Sequence, residues 1–389
     1  MNIRSLIYET NGVDRPSIFR TTFAGVIFIS AFLSLSCGIY REAAKKLEQQ
    51  VAVEHNPRED IAEILDSSSA ADQVKIETLN LLSANKLTEI DDAAKRARDK
   101  KERLPGGYWK LDSIYDSLAN IYGDYPGQKV TDELWLNRIA LLKRWKEDSP
   151  DLITPRVALA KALVGYGWFA RGNATIDKVS AADHELFRQR IEAAEQELNE
   201  AVHAGFKCPA IAGEMLLIGM VKGWESDKFE ALYRQAVAAE PDYLDYHLIK
   251  SENLTLKWNG KEGEWRKFFD RLPEFLVANH SKEADLIYFV VIAARANDST
   301  MQINWAMISK ERLKKGFGYL ESSYGIDNLR LNQYALLMAS TMDLEEAKTA
   351  FERIGSNRDG SVWSESTFNV FRTLAMKGIP KPTSNSARQ

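Results

Sequence analysis

Apolar residues recur every three or four positions from residue 41 almost to the C-terminus, the period of helices that bury one face. Residues 108–122 place Tyr108, Leu111, Tyr115, Leu118 and Tyr122 on one stripe, and 134–145 repeats the pattern between Trp135 and Trp145. Stretch 154–172, TPRVALAKALVGYGWFARG, opens with a proline inside the first turn and closes on a glycine, as helices do. Further helices are predicted over 41–52, 81–104, 181–204, 208–221, 226–239, 242–256, 262–278, 282–296, 302–321, 328–340, 343–354 and 362–376. Pro105-Gly106-Gly107 and Asp148-Ser149-Pro150 punctuate the series. No run of clean alternation long enough for a strand is bounded by turn residues, so the expected fold class is all-α.

The chain starts differently. Residues 23–40, FAGVIFISAFLSLSCGIY, carry no charge and are flanked by Arg20 and Arg41. Eighteen residues reach the lower end of what spans a bilayer of about 30 Å. The twenty residues before it include Glu9 and Asp14 and are long for a secretory leader, which favours a retained anchor. The alternatives are cleavage near Cys37 after the Ser34-x-Ser36 pattern, or lipid attachment at Cys37, which resembles a bacterial lipoprotein signal. Basic residues on the two sides balance, Arg4, Arg15 and Arg20 against Arg41, Lys45 and Lys46, so charge does not set the orientation. The short N-terminal side favours a single-pass inner-membrane protein with its C-terminal domain in the periplasm. The organisation expected is a polar tail (1–20), an anchor or signal segment (21–40), a helical stalk and first helices (41–105), a helical-repeat domain (106–377) and a disordered tail (378–389).

Within the repeat domain, residues 328–361 place Leu331, Tyr334, Ala335 and Met338 on one helix, then Ala347, Phe351 and Ile354 on a second. This resembles the tetratricopeptide pattern, in which a small residue at the crossing lets paired helices approach. Ile354 replaces the last small residue and no terminal proline follows. Phe229, Tyr233, Ala236 and Pro241 form a poorer second copy. In order along the chain, GGYWKLDSIYDSL, Trp168-Phe169-Ala170-Arg171-Gly172, AAEPDYLDY and Trp258-Asn259-Gly260 resemble a bacterial family of unknown function with tetratricopeptide-like helices. That family usually shows W-G-G at the last element, and here Asn259 stands in place of the first glycine. The likeness covers residues 100–360 and implies a tetratricopeptide-like α-α superhelix, with no assigned reaction or ligand.

Composition adds exclusions. The 51 Lys and Arg against 55 Asp and Glu leave a net charge of −4, no footprint for nucleic acid. The 45% apolar content belongs to a folded chain, and two cysteines, Cys37 and Cys208, exclude a disulfide framework. The run Lys95–Arg103, broken by Asp99 and Glu102, reads as a solvated helix face. His55, His184, His203, His247 and His280 include no metal-binding i, i+4 pair and read as surface or packing residues. Cys208 precedes Pro209 at a helix start, where a thiol can be activated, but has no histidine neighbour. Phosphate-loop, dinucleotide and nucleophile-elbow motifs are missing, Ser83-x-x-Lys86 lacks its companion motifs, and Glu192, Glu195 and Glu197 read as a solvated face. No catalytic residue, cofactor or metal is therefore expected. The candidate partner-binding residues are Tyr166, Trp168, Arg171, Tyr243, Tyr246 and Trp258, because Trp, Tyr and Arg dominate interface hot spots. Their alternative role is packing between helices, with Gly172 as a C-cap. The expected function is a membrane-anchored scaffold that binds another protein or peptide. An enzyme of unknown reaction and a self-associating structural protein are the alternatives.

Overall fold

The computed structural model describes residues 70–122, 129–172, 178–298 and 303–378. Among these residues there are fifteen α-helices and no strand, only an isolated bridge between Arg103 and Trp109. The helices are α1 (Ala70–Ser83), α2 (Leu87–Asp99), α3 (Lys110–Ala119), α4 (Asp132–Asp148), α5 (Thr154–Arg171), α6 (Ala181–His203), α7 (Pro209–Val221) and α8 (Ser226–Ala239). They continue as α9 (Leu244–Asn253), α10 (Glu264–Ala278), α11 (Ala284–Arg295), α12 (Lys310–Tyr324), α13 (Asn328–Ser340), α14 (Leu344–Ile354) and α15 (Glu365–Lys377). The apolar run 23–40 and Cys37 lie outside the described residues. Among the described residues no helix is long and apolar enough to cross a membrane.

The helices form two layers. Helices α5, α7, α9, α11 and α13 touch in succession and are buried almost all round, as residues 157–167 of α5 and 330–340 of α13 illustrate. Helices α6, α8, α10, α12 and α14 pack on them and bury a single stripe each, such as Ile191, Ala194, Leu198 and Ala201 of α6. This division follows from sequence: a helix apolar on every side must be covered on every side, while an amphipathic one can face water. Side chains of Thr131, Ser180, Ser309, Asp327 and Ser364 cap α4, α6, α12, α13 and α15 by accepting from backbone N–H groups of the first turn.

The periodicity predicts one helix over 81–104, but the chain breaks at Asn85, which adopts positive φ, and α2 starts at Leu87 and stops at Asp99. The segment read as starting at 302 makes a 3₁₀ turn at Trp305–Met307 before α12. The charge run Lys95–Arg103 is not wholly a solvated face. Lys95 is exposed and pairs with Asp99, but Arg98 is largely covered and the Arg103 side chain is only 3% exposed.

That burial comes from the segment linking α2 to α3. Residues 101–109 leave the first helices and lie against helices much later in the chain. Gly106 N–H donates to the Gly325 carbonyl at 3.0 Å, and Arg330 Nε donates to the Gly106 carbonyl at 3.0 Å. Trp109 Nε1 donates to the Asp242 carbonyl at 3.1 Å. Gly106 and Gly107 have φ of 84° and 76°, and a Cβ on Gly106 would lie 2.7 Å from Asp327 Oδ2. The glycines are required both for the left-handed turn and for this approach.

Candidate functional site

The inner helices carry isolated charges that converge. Lys161 stands in the middle of the apolar α5, and Glu214 interrupts the apolar α7. From α3 come Asp112 and Asp116, one helical turn apart, and from the start of α9 comes Asp245. Lys161 Nζ lies 3.2 Å from Asp116 Oδ1 and 3.4 Å from Glu214 Oε2, and its side chain is 5% exposed. The Tyr243 hydroxyl donates to Asp112 Oδ1. Among the described residues, four carboxyl groups therefore gather around the Lys161 ammonium group.

This imbalance sets the protonation of the cluster. Burial opposes the charge on Lys161, but the fields of Asp116, Glu214, Asp245 and Asp112 outweigh it and hold its pKa well above the usual lysine value. Burial raises Asp116 too, but contact with Lys161 wins and leaves its carboxyl below the ordinary range. Asp112 is pushed well above that range by burial and by the neighbouring Asp245, against the pull of Lys161. Asp245 is pushed up to about 6, chiefly by burial. Carboxyl groups held below and above the ordinary range thus sit side by side.

The cluster borders a small cavity of about 20 Å³ whose walls include Tyr108, Trp109, Asp112, Asp116, Asp245 and Arg330. That is room for a water molecule and little more. A groove of about 300 Å³ runs elsewhere between α1, α2 and the start of α3, past Val74, Thr78, Leu81, Ala93, Arg96 and Ile114. Among the described residues no group of three or more His, Cys, Asp or Glu side chains is arranged to hold a metal ion.

The six residues singled out from sequence fall in three places. Tyr243 and Tyr246 are buried with ring centroids 4.8 Å apart, and Tyr243 belongs to the acidic cluster. Tyr246 donates to the Pro209 carbonyl at 3.0 Å. Trp168 and Trp258 meet edge to face at 6.2 Å, with the Arg171 guanidinium 5.2 Å from the Trp168 ring centre. Trp258 Nε1 donates to Glu252 Oε1 at 2.7 Å, and Glu252 forms a buried ion pair with Arg295. Tyr166 stands apart, stacked on Trp135 and beneath Arg190, with its hydroxyl donating to Asp132 at 2.8 Å. Gly172 caps α5 with φ of 65°, its N–H donating to the Trp168 carbonyl.

Two other polar residues also act in packing. His247 is fully buried; its Nε2–H donates to the Pro241 carbonyl at 2.8 Å, and Nδ1 of the neutral ring accepts from the Tyr233 hydroxyl at 2.9 Å. Burial lowers its pKa to about 4. Cys208 does precede the first turn of α7, but burial raises its thiol, opposed less strongly by Tyr115 at 3.6 Å. Desolvation there exceeds the stabilisation a helix start offers a thiolate.

Asp112, Asp116, Lys161, Glu214 and Asp245 were not among the sequence candidates. A lone lysine in α5 and a lone glutamate in α7, each amid apolar residues, are the signal that marks two of them, because such charges are rarely buried without partners. No protein-family description, curated protein or solved structure matches this chain.

Proposed function

We propose that this chain is a membrane-anchored helical-repeat adaptor. In this reading residues 21–40 hold it in the inner membrane of a bacterial envelope, and a tetratricopeptide-like array over 106–377 faces the periplasm and receives a segment of another protein. Cleavage or lipid attachment near Cys37 remains the alternative mode of release or tethering. The observation that carries the reading is a buried acidic cluster against the inner helices. Among the described residues, Asp112, Asp116, Glu214 and Asp245 gather around Lys161 beside a cavity edged by Tyr108, Trp109 and Arg330. A stacked array of helical pairs offers an extended inner face, and acidic and aromatic groups there suit the tip of a basic side chain. At about 20 Å³ the cavity is too small for a metabolite and matches no more than the ammonium tip of one side chain.

The test is in-cell crosslinking, extraction of membranes with detergent and identification of proteins recovered in constant ratio with the chain. A reproducible partner, lost when Asp116→Asn and Asp245→Asn are combined in a chain that still folds, supports the adaptor. Failure to recover any partner overturns it. Full release of the chain from membranes by alkaline carbonate overturns the integral anchor. Trp168→Ala with Arg171→Ala examines the second aromatic group in the same assay.

One observation favours an enzyme as the second reading. Asp245, pushed up to about 6, adds to the burial that raises Asp112 well above the ordinary carboxylate range, and paired carboxyl groups with separated pKa values can divide acid and base roles. Turnover of a small molecule that disappears in Asp112→Asn, with the fold intact, would favour this reading over the adaptor.

A further inference from the structure

We propose that residues 101–109 are a displaceable strap, and that the partner segment required by the adaptor reading binds in their place as an extended stretch carrying an arginine and a tryptophan. The inference rests on that reading for its biological partner, and on the strap's own contacts for its chemistry.

The strap is held as a ligand is held. It has no helix, and its side chains and backbone meet partners 133 to 224 positions away. Arg103 NH2 contacts both carboxylate oxygens of Glu283 at 3.2 Å and donates to the Asp242 carbonyl at 3.1 Å. Its guanidinium lies 3.7 Å from the centre of the Trp109 ring, and Tyr324 donates to the same Glu283 at 2.5 Å. Lys101 reaches Glu240 at 2.7 Å. Trp109 is 2% exposed and packs edge to face on Tyr243. The receiving surface is thus acidic at Glu240 and Glu283 and aromatic at Tyr243 and Tyr324. A segment with the strap's own chemistry, basic and aromatic, complements it.

The seat is also imperfect. Arg103 Nε and NH1 are buried without a hydrogen-bond partner. Buried donors left unpaired cost free energy that hydration restores, and a buried ion pair gains little over its solvated ions. Opening the strap returns those donors to water and uncovers Glu283, Tyr243 and Tyr324. A competing segment that satisfies all of an arginine's donors would therefore hold the site better than the strap does. Tyr108 and Trp109 also wall the cavity beside Asp112 and Asp245, so displacement would enlarge that cavity as well.

A fluorescent peptide of sequence KERLPGGYW, residues 101–109, is the probe, titrated into the full chain and its variants in detergent. Removing the internal competitor with Arg103→Ala raises the apparent affinity for the peptide about tenfold, since the competent state ceases to be a minor one. Adding Glu283→Gln to that variant abolishes the gain. An Arg103→Ala chain that is folded by circular dichroism and binds the peptide no better than the unaltered chain overturns the proposal. Should Arg103→Ala not fold, hydrogen exchange on the unaltered chain decides. The amides of Leu104, Gly106 and Lys110 then exchange about 100-fold faster than those in the middle of α11, through an opening insensitive to denaturant. Exchange of these amides only by global unfolding overturns the strap. A strap that never opens leaves a crosslinked partner unexplained but standing, whereas peptide binding without any cellular partner sinks the adaptor alone.

Discussion

Asp245 and His247 are two residues apart, and burial moves both pKa values toward the neutral form, with opposite consequences for stability. Asp245 has a folded pKa of about 6, above the ordinary carboxylate value, so the folded state holds its proton more tightly. Its contribution is fully present below about pH 4 and is lost as pH rises through 6, by at most about 3 kcal/mol. Asp245→Asn removes this dependence: urea titrations from pH 4 to 8 should give a variant that gains on the unaltered chain as pH rises. A gap that is constant with pH would contradict the arrangement. His247, with a folded pKa of about 4, contributes stability above pH 6.5 that is lost as pH falls toward 4. Its ring resonances should stay those of neutral imidazole down to about pH 5 in NMR titration; a midpoint near 6.5 would be incompatible with the buried ring between Tyr233 and Pro241. At this scale little of the site was legible. Asp112 and Asp116 follow the apolar positions Leu111 and Tyr115 and look like the wet side of an amphipathic helix. The neighbours that cover them, Glu214 and Asp245, come from elements about a hundred residues onward.

Elements were far more legible, because periodicity and caps are local. The paired helices of 328–361 occur as α13 and α14, with Leu331, Tyr334, Ala335, Met338, Ala347, Phe351 and Ile354 all buried. The break between α1 and α2 was missed, since Asn85 and Lys86 interrupt no apolar stripe and the positive φ of Asn85 has no strong sequence mark. The close crossing of α11 and α12 was also invisible. It depends on Gly316, where a Cβ would lie 2.1 Å from the Asp285 carbonyl oxygen. In an isolated helix Gly→Ala would stabilise by about 1 kcal/mol. Here backbone meets the new atom, so Gly316→Ala should destabilise by roughly 2 kcal/mol or more, as overpacking does. Guanidinium unfolding measures the sign directly, and a more stable variant would mean that the two helices are not in this contact.

For the whole molecule, most contacts join helices adjacent in sequence or one pair apart, so stability is expected to be distributed along the array rather than concentrated in one nucleus. The strap is the exception. It ties the turn before α3 to the starts of α9, α11 and α13 through Asp242, Glu283, Gly325 and Arg330, and no periodic pattern announces such a tie. Pro105-Gly106-Gly107 marks a turn but not what the turn lies against. These two kinds of contact predict a graded response to denaturant. Helix α15 packs mainly on α13 and α14 and buries few residues of its own, Phe368 and Ala375 among them. Its amides should exchange by a local opening well below the free energy of global unfolding, while α5 and α11, enclosed on every side, should exchange only near it. Arg103→Ala should lower protection at the starts of α9, α11 and α13 and leave α15 unchanged, because the strap does not reach it. Equal loss in α15 would mean that the array responds as one cooperative block, and that the strap is part of its core rather than a guest on its inner face.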